Sequence, residues 1–363
     1  MPHSSTDDMN SNAPGQDHRS NDILCLAPNA AYQLTVLFDQ ITLGEVNRGA
    51  VQTNSLGGKG QNFAVATRQY YKSADRVTLL QILGGPTGAQ IEAMEDEQGF
   101  DYITVKTSLP TRTCTTCLDK STGEMTEMVG VSGVIDESAE AEYEQIARSI
   151  LQSKAPPKAL ALCGTFPPGL KSTTVARMVA AKTDRTLVFV DAVKDIHPVL
   201  ESKCIDILKV NSGEVISILS TLDKRYESKA PKDVDLAEAA MELGNRFSIG
   251  VVAVTDGPAT AYLADTRESK CHAFTIPDLL ADRTYFLGTD AVAHGHLVLN
   301  PLGAGDTCSA VLLNLLLDGK SIVEAFALGL AAASASCLVP MPNCVFDRKV
   351  MERIRGNMDV SLL

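Results

Sequence analysis

The 363-residue sequence has no run of Lys or Arg longer than a pair, and its formal net charge is −12 at pH 7. Its average surface therefore repels a phosphate backbone, which argues against a nucleic-acid-binding protein but permits a local basic pocket for a small anion. No apolar run approaches the roughly 20 residues needed to cross a bilayer. The start of the chain also lacks the charged-then-apolar layout of a secretion signal. We therefore expect no membrane segment and a cytoplasmic location.

Cysteine and nucleotide-loop motifs are also sparse. Cys114 and Cys117 form the single Cys-x-x-Cys of the chain, without a second pair or nearby histidines, so a strand is favoured over a metal or redox site. Most of the nine cysteines lie in apolar segments, as is typical of reduced core residues. The G-x-x-x-x-G-K-[ST] pattern is absent, which excludes a Walker A loop.

The chain alternates apolar runs with amphipathic stretches. Its 45% hydrophobic and 21% charged residues suit one large α/β domain, predicted from residue 21 to about 350 after a disordered tail at 1–20. Runs expected to be strands buried on both faces begin near Ile23 and recur at 77–83, 159–164, 186–192, 205–211 and 251–257. Helical patterns lie at 60–71, 87–97, 138–153, 171–183, 234–247, 305–318 and 321–338. This alternation predicts a three-layer α/β/α fold around a mostly parallel central sheet.

Two kinds of region interrupt the alternation. Residues 31–56 and 103–131 show short β-type runs, with a hairpin signal at 119–125. They are expected to pair as a small β-sheet lid over one edge of the domain. Residues 265–299 form a long irregular segment, which we interpret as a surface insertion of unknown role.

The strongest local signal is the glycine-rich turn at 303–305. Gly303, Ala304 and Gly305 are small enough for backbone N–H groups to close around an anion, and the apolar period after them predicts a helix whose positive end faces that anion. Asp306 lies in the first turn of this helix. Its carboxylate is either a helix cap or a base held beside a reacting phosphate. This segment alone does not separate the two.

A second signal is the sequence GGKGQN at 57–62. Gly58 and its neighbouring glycines permit a close backbone approach to a polyhydroxylated ligand, and Asn62 offers donors and acceptors to hydroxyl groups. Lys59 is a candidate for binding an anionic substituent. The alternative interpretation is an ordinary loop followed by a helix N-cap.

Together, the two glycine-rich segments resemble the two signatures of the PfkB, or ribokinase-like, family of carbohydrate kinases. The resemblance extends to a Gly-Thr-Phe-Pro-Pro-Gly turn at 164–169, an N-x-x-E at 211–214 and a Thr-Asp-Gly at 255–257. The matches follow the family's order and spread from Asn29 to Pro340. They imply a ribokinase-like fold with a lid, and ATP-dependent phosphorylation of a sugar hydroxyl. Mg²⁺, ATP as co-substrate and possible use of a monovalent cation are implied as well.

Within that family the sequence is most similar to the branch of 1-phosphofructokinase and tagatose-6-phosphate kinase. Residues 28–31 are similar to that branch's P-N-P-A, residues 43–48 match its L-G-E-V-N-R, and Asn300-Pro301 is typical of it. Arg112 lies where those enzymes carry an arginine that contacts the sugar phosphate. The resemblance therefore implies a phosphosugar substrate, while a solvated charge on a strand edge is the alternative for Arg112.

The resemblance assigns roles to individual positions. Asp306 would be the general base, and the backbone of Ala304, Gly305 and Asp306 would hold the transferring phosphoryl group. The implied substrate-binding residues are Gln33, Gly58, Lys59, Asn62, Arg112 and Thr165. The implied nucleotide-binding residues are Asn211, Thr255, Gly257, Gly305 and Ser336. Asn211 and Glu214 would place Mg²⁺ through water, and their alternative role is a capping pair at a helix N-terminus.

Gln33 departs from the family pattern, which has an aspartate there that binds sugar hydroxyls. A Gln amide still forms hydrogen bonds but lacks the charged acceptor, so altered specificity is expected. Ser336 stands where many relatives have Asn. Two alternative functions stay open: a kinase of an unphosphorylated sugar or nucleoside, and a non-catalytic sugar-binding or regulatory protein on the same fold. A homodimer through the lid is a further expectation.

Overall fold

The apolar runs of the sequence form the strands of one large sheet. A computed structural model describes residues 21–192, 194–286 and 299–363, so the predicted tail at 1–20 lies outside the described residues. Within the described part, this sheet has ten strands: β1 (Ile23–Ala27), β4 (Val77–Gly84), β5 (Asp101–Thr107), β8 (Ala159–Cys163), β9 (Leu187–Asp191), β10 (Ile207–Asn211), β11 (Val251–Thr255), β12 (Ala261–Asp265), β13 (Lys270–Thr275) and β14 (Asp359–Leu362).

The strand order across this sheet is β14-β13-β12-β11-β10-β9-β8-β1-β4-β5. From β11 to β5 all neighbours pair in parallel, whereas β12, β13 and β14 pair antiparallel at one edge. Side chains alternate between two cores: Ile23 and Cys25 of β1 pack on one face, and Leu24 and Leu26 pack on the other. The predicted mostly parallel sheet, buried on both faces, is confirmed.

Helices cover both faces of the sheet. They are α1 (Lys59–Tyr71), α2 (Gly85–Gln98), α3 (Glu137–Leu151), α4 (Ser172–Ala180), α5 (His197–Glu201), α6 (Ser212–Ser220), α7 (Leu236–Phe247), α8 (Ala304–Leu317), α9 (Ile322–Cys337) and α10 (Arg348–Gly356). Buried side chains of α1, α2, α8, α9 and α10 belong to one core, and those of α3 to α7 belong to the other. The predicted three-layer α/β/α fold is therefore confirmed.

A second, smaller sheet has the order β3-β2-β6-β7, with β2 at Ala31–Phe38, β3 at Val51–Gly57, β6 at Thr113–Asp119 and β7 at Met125–Val129. The hairpin signal at 119–125 joins β6 to β7, which pair antiparallel with Cys117 opposite Thr126. This small sheet, called the lid below, matches the prediction. Across the described ranges, no helix combines the length and hydrophobicity that a bilayer crossing requires.

Three predicted boundaries are wrong. The lid prediction that began at 103 includes part of β5, which pairs in parallel with β4 in the large sheet. The predicted surface insertion at 265–299 contains β13, which pairs with β12 and β14, and the buried Tyr285; residues 287–298 lie outside the described part. The predicted domain end near 350 is too early because it lies inside α10 and β14 follows that helix. The pairing of β13 with β14 joins residues about 90 positions apart, such as His272 and Leu362, so local patterns did not reveal it.

Candidate active site

The parallel strands bring polar residues together at their carboxyl ends. Strand β9 ends at Asp191, β10 at Asn211 and β11 at Thr255, while the loop after β8 carries Thr165. The carboxyl edge of a parallel sheet is where α/β proteins commonly bind ligands. Helices α1, α6 and α8 begin at this edge, so their positive N-terminal ends accompany the polar residues.

Asp306 lies in the first turn of α8, after a turn that only glycine fits well. The N-cap residue Gly303 has φ +75°, and a Cβ atom there would lie 2.3 Å from Cys344 Sγ. No side chain caps this helix. Instead, Asp306 Oδ2 accepts a 2.7 Å hydrogen bond from Asn62 Nδ2. The structure thus separates the two interpretations of Asp306: its carboxylate is held by another helix and does not cap its own.

Asn62 is held by two further side chains. Its Oδ1 accepts a 2.6 Å hydrogen bond from Asn343 Nδ2, and Asn343 Oδ1 accepts a 2.9 Å bond from the Ser55 hydroxyl. Asn62 and Asn343 are both 5% exposed. The predicted contact of Asn62 with substrate hydroxyls would therefore involve an amide that already binds Asp306 and Asn343.

A buried charge cluster lies beside Asp306. Asp191 Oδ1 is 2.7 Å from Lys59 Nζ, while its Oδ2 is 3.2 Å from Lys209 Nζ and accepts a 2.6 Å bond from the Ser309 hydroxyl. Lys59 Nζ is also 3.7 Å from Glu214 Oε1. Lys59, predicted to bind an anionic substituent, is thus anchored between two carboxylates.

The charges of this cluster shift one another's titration. Burial and the nearby Asp191 carboxylate raise the pKa of Asp306 to about 6, against the opposing effects of Lys59, Asn62 and Lys209. Burial would raise the pKa of Asp191 as well, but Lys209 and Lys59 outweigh it and hold that pKa well below its usual range. For Lys59, burial is likewise outweighed, here mainly by Asp191 and Glu214, and its pKa is raised. The base candidate Asp306 is thus a weaker acid than Asp191.

The first turn of α8 lies directly over a cation. A Cβ atom at Gly305 would lie 2.9 Å from Lys209 Nζ, so the ammonium group sits beneath the backbone of this turn. The amide of Ala304, predicted to help hold a phosphoryl group, donates to Pro301 O at 3.1 Å. The amides of Gly305 and Asp306 follow it in the turn, where helical N–H groups lack intrahelical acceptors. Together with Lys209, they make this turn suitable for an anion.

Arg112 lies against the loop that follows β1. Its Nη2 donates to Asn29 O at 3.0 Å and its Nε to Ala30 O at 3.4 Å, which leaves other N–H groups of the guanidinium for a ligand. Arg112, Thr165 and Lys194 line an open cleft of about 570 Å³. A second cleft of about 500 Å³ shares Thr165 and Lys194 and reaches Lys59 and Glu214.

Two predicted substrate residues have mainly structural contacts. Gln33 is 2% exposed, and its Nε2 donates to Thr116 Oγ1 at 3.0 Å, which links β2 to β6 within the lid. Gly58 is the N-cap of α1 at φ +99°, and a Cβ atom there would lie 3.0 Å from Ala30 Cα. The close approach predicted for this glycine is therefore made to the chain's own backbone after β1.

The predicted metal residues form a capping box at the start of α6. Asn211 Oδ1 accepts from the Glu214 amide at 2.8 Å, and Glu214 Oε2 accepts from the Asn211 amide at 2.8 Å. The capping pair that was the alternative role of Asn211 and Glu214 is thus present. The other carboxylate oxygen, Glu214 Oε1, faces Lys59. Among the described residues no group of three or more His, Cys, Asp or Glu side chains could hold a metal ion. Glu214 Oε1 is suited to a Mg²⁺ ion that is bound through water. A single carboxylate oxygen does not suffice for a Mg²⁺ ion coordinated by protein groups alone.

The remaining nucleotide candidates are dispersed. Thr255 Oγ1 donates weakly to Val210 O at 3.5 Å, and Gly257 turns the chain after β11 with φ +56°. Ser336 is 4% exposed and donates to Ala333 O of its own helix at 2.8 Å. Thr255 and Gly257 lie at the carboxyl edge beside Asn211, whereas the Ser336 hydroxyl is engaged inside α9.

Sequence reasoning missed three residues of the site. Asp191 and Lys209 were read only as parts of apolar strands, although a charged residue in such a strand is a usable signal because burial requires a partner. Asn343 follows the last predicted helix in the segment before α10. No local pattern points to Asn343, since its partners Asn62 and Ser55 lie more than 250 positions earlier.

Comparisons with known sequences and structures identify relatives of this chain. The sequence profile of the group described as pfkB family carbohydrate kinase matches residues 29–343. Tagatose-6-phosphate kinase of Staphylococcus epidermidis is 24% identical over 305 residues, covering 83% of this chain and 87% of that protein. A crystal structure of Escherichia coli phosphofructokinase-2 with substrates and products superimposes with a TM-score of 0.75 at 22% identity, covering 92% of this chain and 98% of the other. Further structures of that enzyme include a potassium complex and a tetrameric inhibited form.

Ribokinase of Thermotoga maritima, a second structural relative, has a TM-score of 0.65 at 19% identity and covers 92% of this chain and 99% of its own. Solved structures at this level of identity establish the fold. The match of the family profile covers most of the chain.

Proposed function

This chain belongs to the pfkB family of carbohydrate kinases, and from that premise we propose that it transfers the γ-phosphoryl group of ATP to a hydroxyl of a phosphosugar, with Asp306 as general base. The observation that carries the proposal is the position of Asp306. Its carboxylate is buried beside the anion-binding first turn of α8, is oriented by Asn62, and has a pKa raised to about 6. A base whose pKa lies slightly below neutral pH is mostly ionised at neutral pH and can still accept a proton.

The residues around Asp306 supply positioning and charge. Phosphoryl transfer depends mainly on alignment and neutralisation of developing negative charge. The amides of Gly305 and Asp306, in the first turn of α8, can donate to that charge, and the Lys209 ammonium group lies beneath the same turn. Asp306 accepts the proton of the attacking hydroxyl. The Lys59 ammonium group lies nearby, where Asp191 and Glu214 fix its position. When bound through water near Glu214 and Asn211, Mg²⁺ would neutralise phosphate charge.

The phosphosugar class is supported by the open cleft that Arg112 lines. Arg112 and Lys194 place two cations on one open cleft, and a guanidinium group can bind phosphate in a bidentate manner. Ketohexose phosphates such as fructose 1-phosphate, fructose 6-phosphate and tagatose 6-phosphate are the proposed acceptors. Gln33, engaged with Thr116, favours a departure from the family's usual contacts with sugar hydroxyls.

The test is ADP production by the purified protein with Mg²⁺ and ATP over a panel of free sugars, nucleosides, ketose phosphates and aldose phosphates. Turnover restricted to ketose phosphates supports the proposal. Turnover of a neutral sugar or nucleoside would keep Asp306 as base and remove the phosphosugar assignment. No turnover with any acceptor would contradict the enzyme mechanism and favour a sugar-binding or regulatory role. Assays with potassium replaced by a bulky organic cation test the monovalent-cation requirement.

Arg112 offers the sharpest test of the substrate class. Arg112→Gln should raise KM for a phosphosugar about tenfold or more, because a hydrogen-bonded charge pair contributes about 1.5–3 kcal/mol. Activity on any neutral acceptor should change little. Arg185→Gln is the matched control, since Arg185 is exposed in the turn before β9, at the opposite edge of the sheet. Equal KM values for Arg112→Gln and the control would show that Arg112 does not bind the substrate phosphate.

The lid is the proposed dimer interface. Leu43 is 94% exposed and Val46 is 79% exposed in the segment between β2 and β3, and exposed apolar side chains at such a site favour association. A cytoplasmic location stays part of the proposal, because ATP and sugar phosphates are abundant there.

A further inference from the structure

A chain of hydrogen bonds runs from the lid to Asp306. The Ser55 hydroxyl of β3 donates to Asn343 Oδ1, Asn343 Nδ2 donates to Asn62 Oδ1, and Asn62 Nδ2 donates to Asp306 Oδ2. The three links measure 2.9, 2.6 and 2.7 Å. Every donor points toward Asp306, and the chain ends on a carboxylate, which accepts hydrogen bonds without donating when ionised. A chain aligned in one direction also strengthens each of its members.

The direction of this chain is set at Asn343. A side-chain amide has an N–H side and a carbonyl side, and Asn62 presents N–H to Asp306 because its carbonyl oxygen is already bound by Asn343. Rotation of the Asn62 amide by half a turn would place two acceptor oxygens, Asn62 Oδ1 and Asp306 Oδ2, against each other. Such a pair is unfavourable in a buried site, where an unsatisfied or repelled charge is costly.

We propose that Asn343 is a positioning residue for the base: it fixes the orientation of the Asn62 amide, keeps an N–H donor on Asp306 Oδ2, and leaves Oδ1 to take the proton of the acceptor hydroxyl. This inference rests on the proposed function, since it assigns the role of base to Asp306. Asn343 itself touches neither the reacting atoms nor the phosphate. Because Ser55 belongs to the lid, the same contacts connect lid position to the base.

Other groups around Asp306 set its charge environment without orienting Asn62. They are Asp191 from β9, Lys59 from α1, Lys209 from β10, and the buried thiols Cys163 from β8 and Cys344 beside Gly303. The two ammonium groups lower the pKa of Asp306 and the Asp191 carboxylate raises it. The hydrogen bond from Asn62 also lowers it, so losing that donor should move titration of Asp306 to higher pH.

Two variants separate orientation from simple packing. In Asn343→Asp the new carboxylate still accepts from Ser55 but has no N–H for Asn62, so the Asn62 amide should turn and present Oδ1 to Asp306. Asn343→Leu keeps the branched shape of the side chain, removes the donor and adds no charge. The acid limb of kcat/KM should move up by about one pH unit in Asn343→Asp and by a smaller amount in Asn343→Leu. A purely structural role would lower activity at all pH values without moving the limb.

The direct charge effect of Asn343→Asp is measured in an Asn62→Ala background, where no amide can turn. Most of the shift should disappear there. Asn357→Asp adds the same charge at the end of α10, where Asn357 donates to the Tyr285 hydroxyl at 2.7 Å, and should leave the limb unchanged. Carboxyl ¹³C NMR gives a readout that needs no substrate, with the Asp306 resonance assigned by its loss in Asp306→Asn.

An unchanged Asp306 titration in both Asn343 variants would overturn the proposal. So would a full-sized shift of Asn343→Asp in the Asn62→Ala background. If Asn343→Asp does not fold, the NMR titration of Asn343→Leu decides alone. A wild-type protein without turnover would contradict the proposed function, whereas the NMR titration would still accept or reject the role of Asn343.

Discussion

At the scale of single residues, the proposed role of Asp306 as base predicts that activity depends on pH. With a pKa of about 6 in the folded protein, its carboxylate is ionised above that pH and protonated below it. We expect kcat/KM to fall about tenfold for each pH unit below about 6 and to level off above it. A profile recorded with a neutral acceptor, if one is used, avoids the overlapping titration of the substrate phosphate. A flat profile between about pH 5 and pH 8 would contradict the role of Asp306 as base.

The same pKa makes a prediction for stability. A carboxyl group whose pKa is higher in the folded than in the unfolded state destabilises the folded state once pH exceeds both values. Asp306→Asn removes that penalty, so the variant should be more stable than the wild type by up to about 3 kcal/mol near pH 8. The difference should shrink as pH falls through about 6 and vanish below about 4. Urea unfolding at several pH values measures it, and turnover of this variant should be almost abolished.

Lys209 carries a third residue-scale prediction. Its side chain is 4% exposed and pairs with Asp191, which is 1% exposed. Lys209→Met leaves a buried carboxylate with one cation fewer and should cost about 3–5 kcal/mol of unfolding free energy. It should also raise the pKa of Asp306, since Lys209 now lowers it.

Lys182→Met is the matched control for that loss. Lys182 pairs with Asp206 at 3.2 Å where the two side chains are 23% and 41% exposed, and such a pair is worth about 0–1 kcal/mol. Denaturant unfolding of both variants should therefore separate them clearly. Equal losses would show that the Asp191 cluster adds little to stability.

At the scale of elements, the start of α8 depends on glycine for two distinct reasons. Gly303 has positive φ, and a Cβ atom at this position would lie 2.3 Å from Cys344 Sγ. Gly319, after the same helix, has φ +86° with nothing within 4 Å of a Cβ atom. Gly303→Ala should therefore cost about 2–4 kcal/mol and displace the first turn, whereas Gly319→Ala should cost about 1 kcal/mol with activity retained.

Cys344 provides the corresponding control for Gly303→Ala. Adding Cys344→Ala should restore part of the stability lost, because it removes the sulfur atom that the new methyl group would strike. Thermal unfolding together with the turnover assay checks both expectations. If Gly303→Ala and Gly319→Ala behave alike, backbone strain alone explains the glycine at 303.

At the scale of the whole molecule, the lid should control association. Leu43→Asp combined with Val46→Asp places two charges where apolar side chains are now almost fully exposed. We expect sedimentation to show a dimer for the wild type and a monomer for this variant, because burying unpaired carboxylates in an interface is unfavourable. Leu280→Asp combined with Leu363→Asp, at exposed positions outside the lid, should remain dimeric. A monomeric wild type would reject the lid interface.

Much of this molecule follows from local sequence alone. Continuous apolar runs such as those of β4, β9 and β11 are typical of strands buried on both faces, and they predicted a parallel sheet. The glycine-rich turn at 303–305 predicted the start of α8, because glycine is favoured where a turn before a helix has positive φ. Resemblance to the carbohydrate kinases, carried by motifs spread along the chain, predicted the family that the comparisons then established.

Tertiary structure decided the pairing of residues that are remote in sequence. The contact of the Asp306 carboxylate depended on the fold, which brings it to Asn62, 244 positions earlier in the sequence. Asp191 and Lys209 appeared as isolated charges in apolar strands until adjacent parallel strands and α8 brought them together. Hydrophobic patterns specify which face of an element is buried, but a buried polar group is specified by its partner. The sequence by itself therefore determined the layers and the candidate motifs, and the fold decided which polar groups meet.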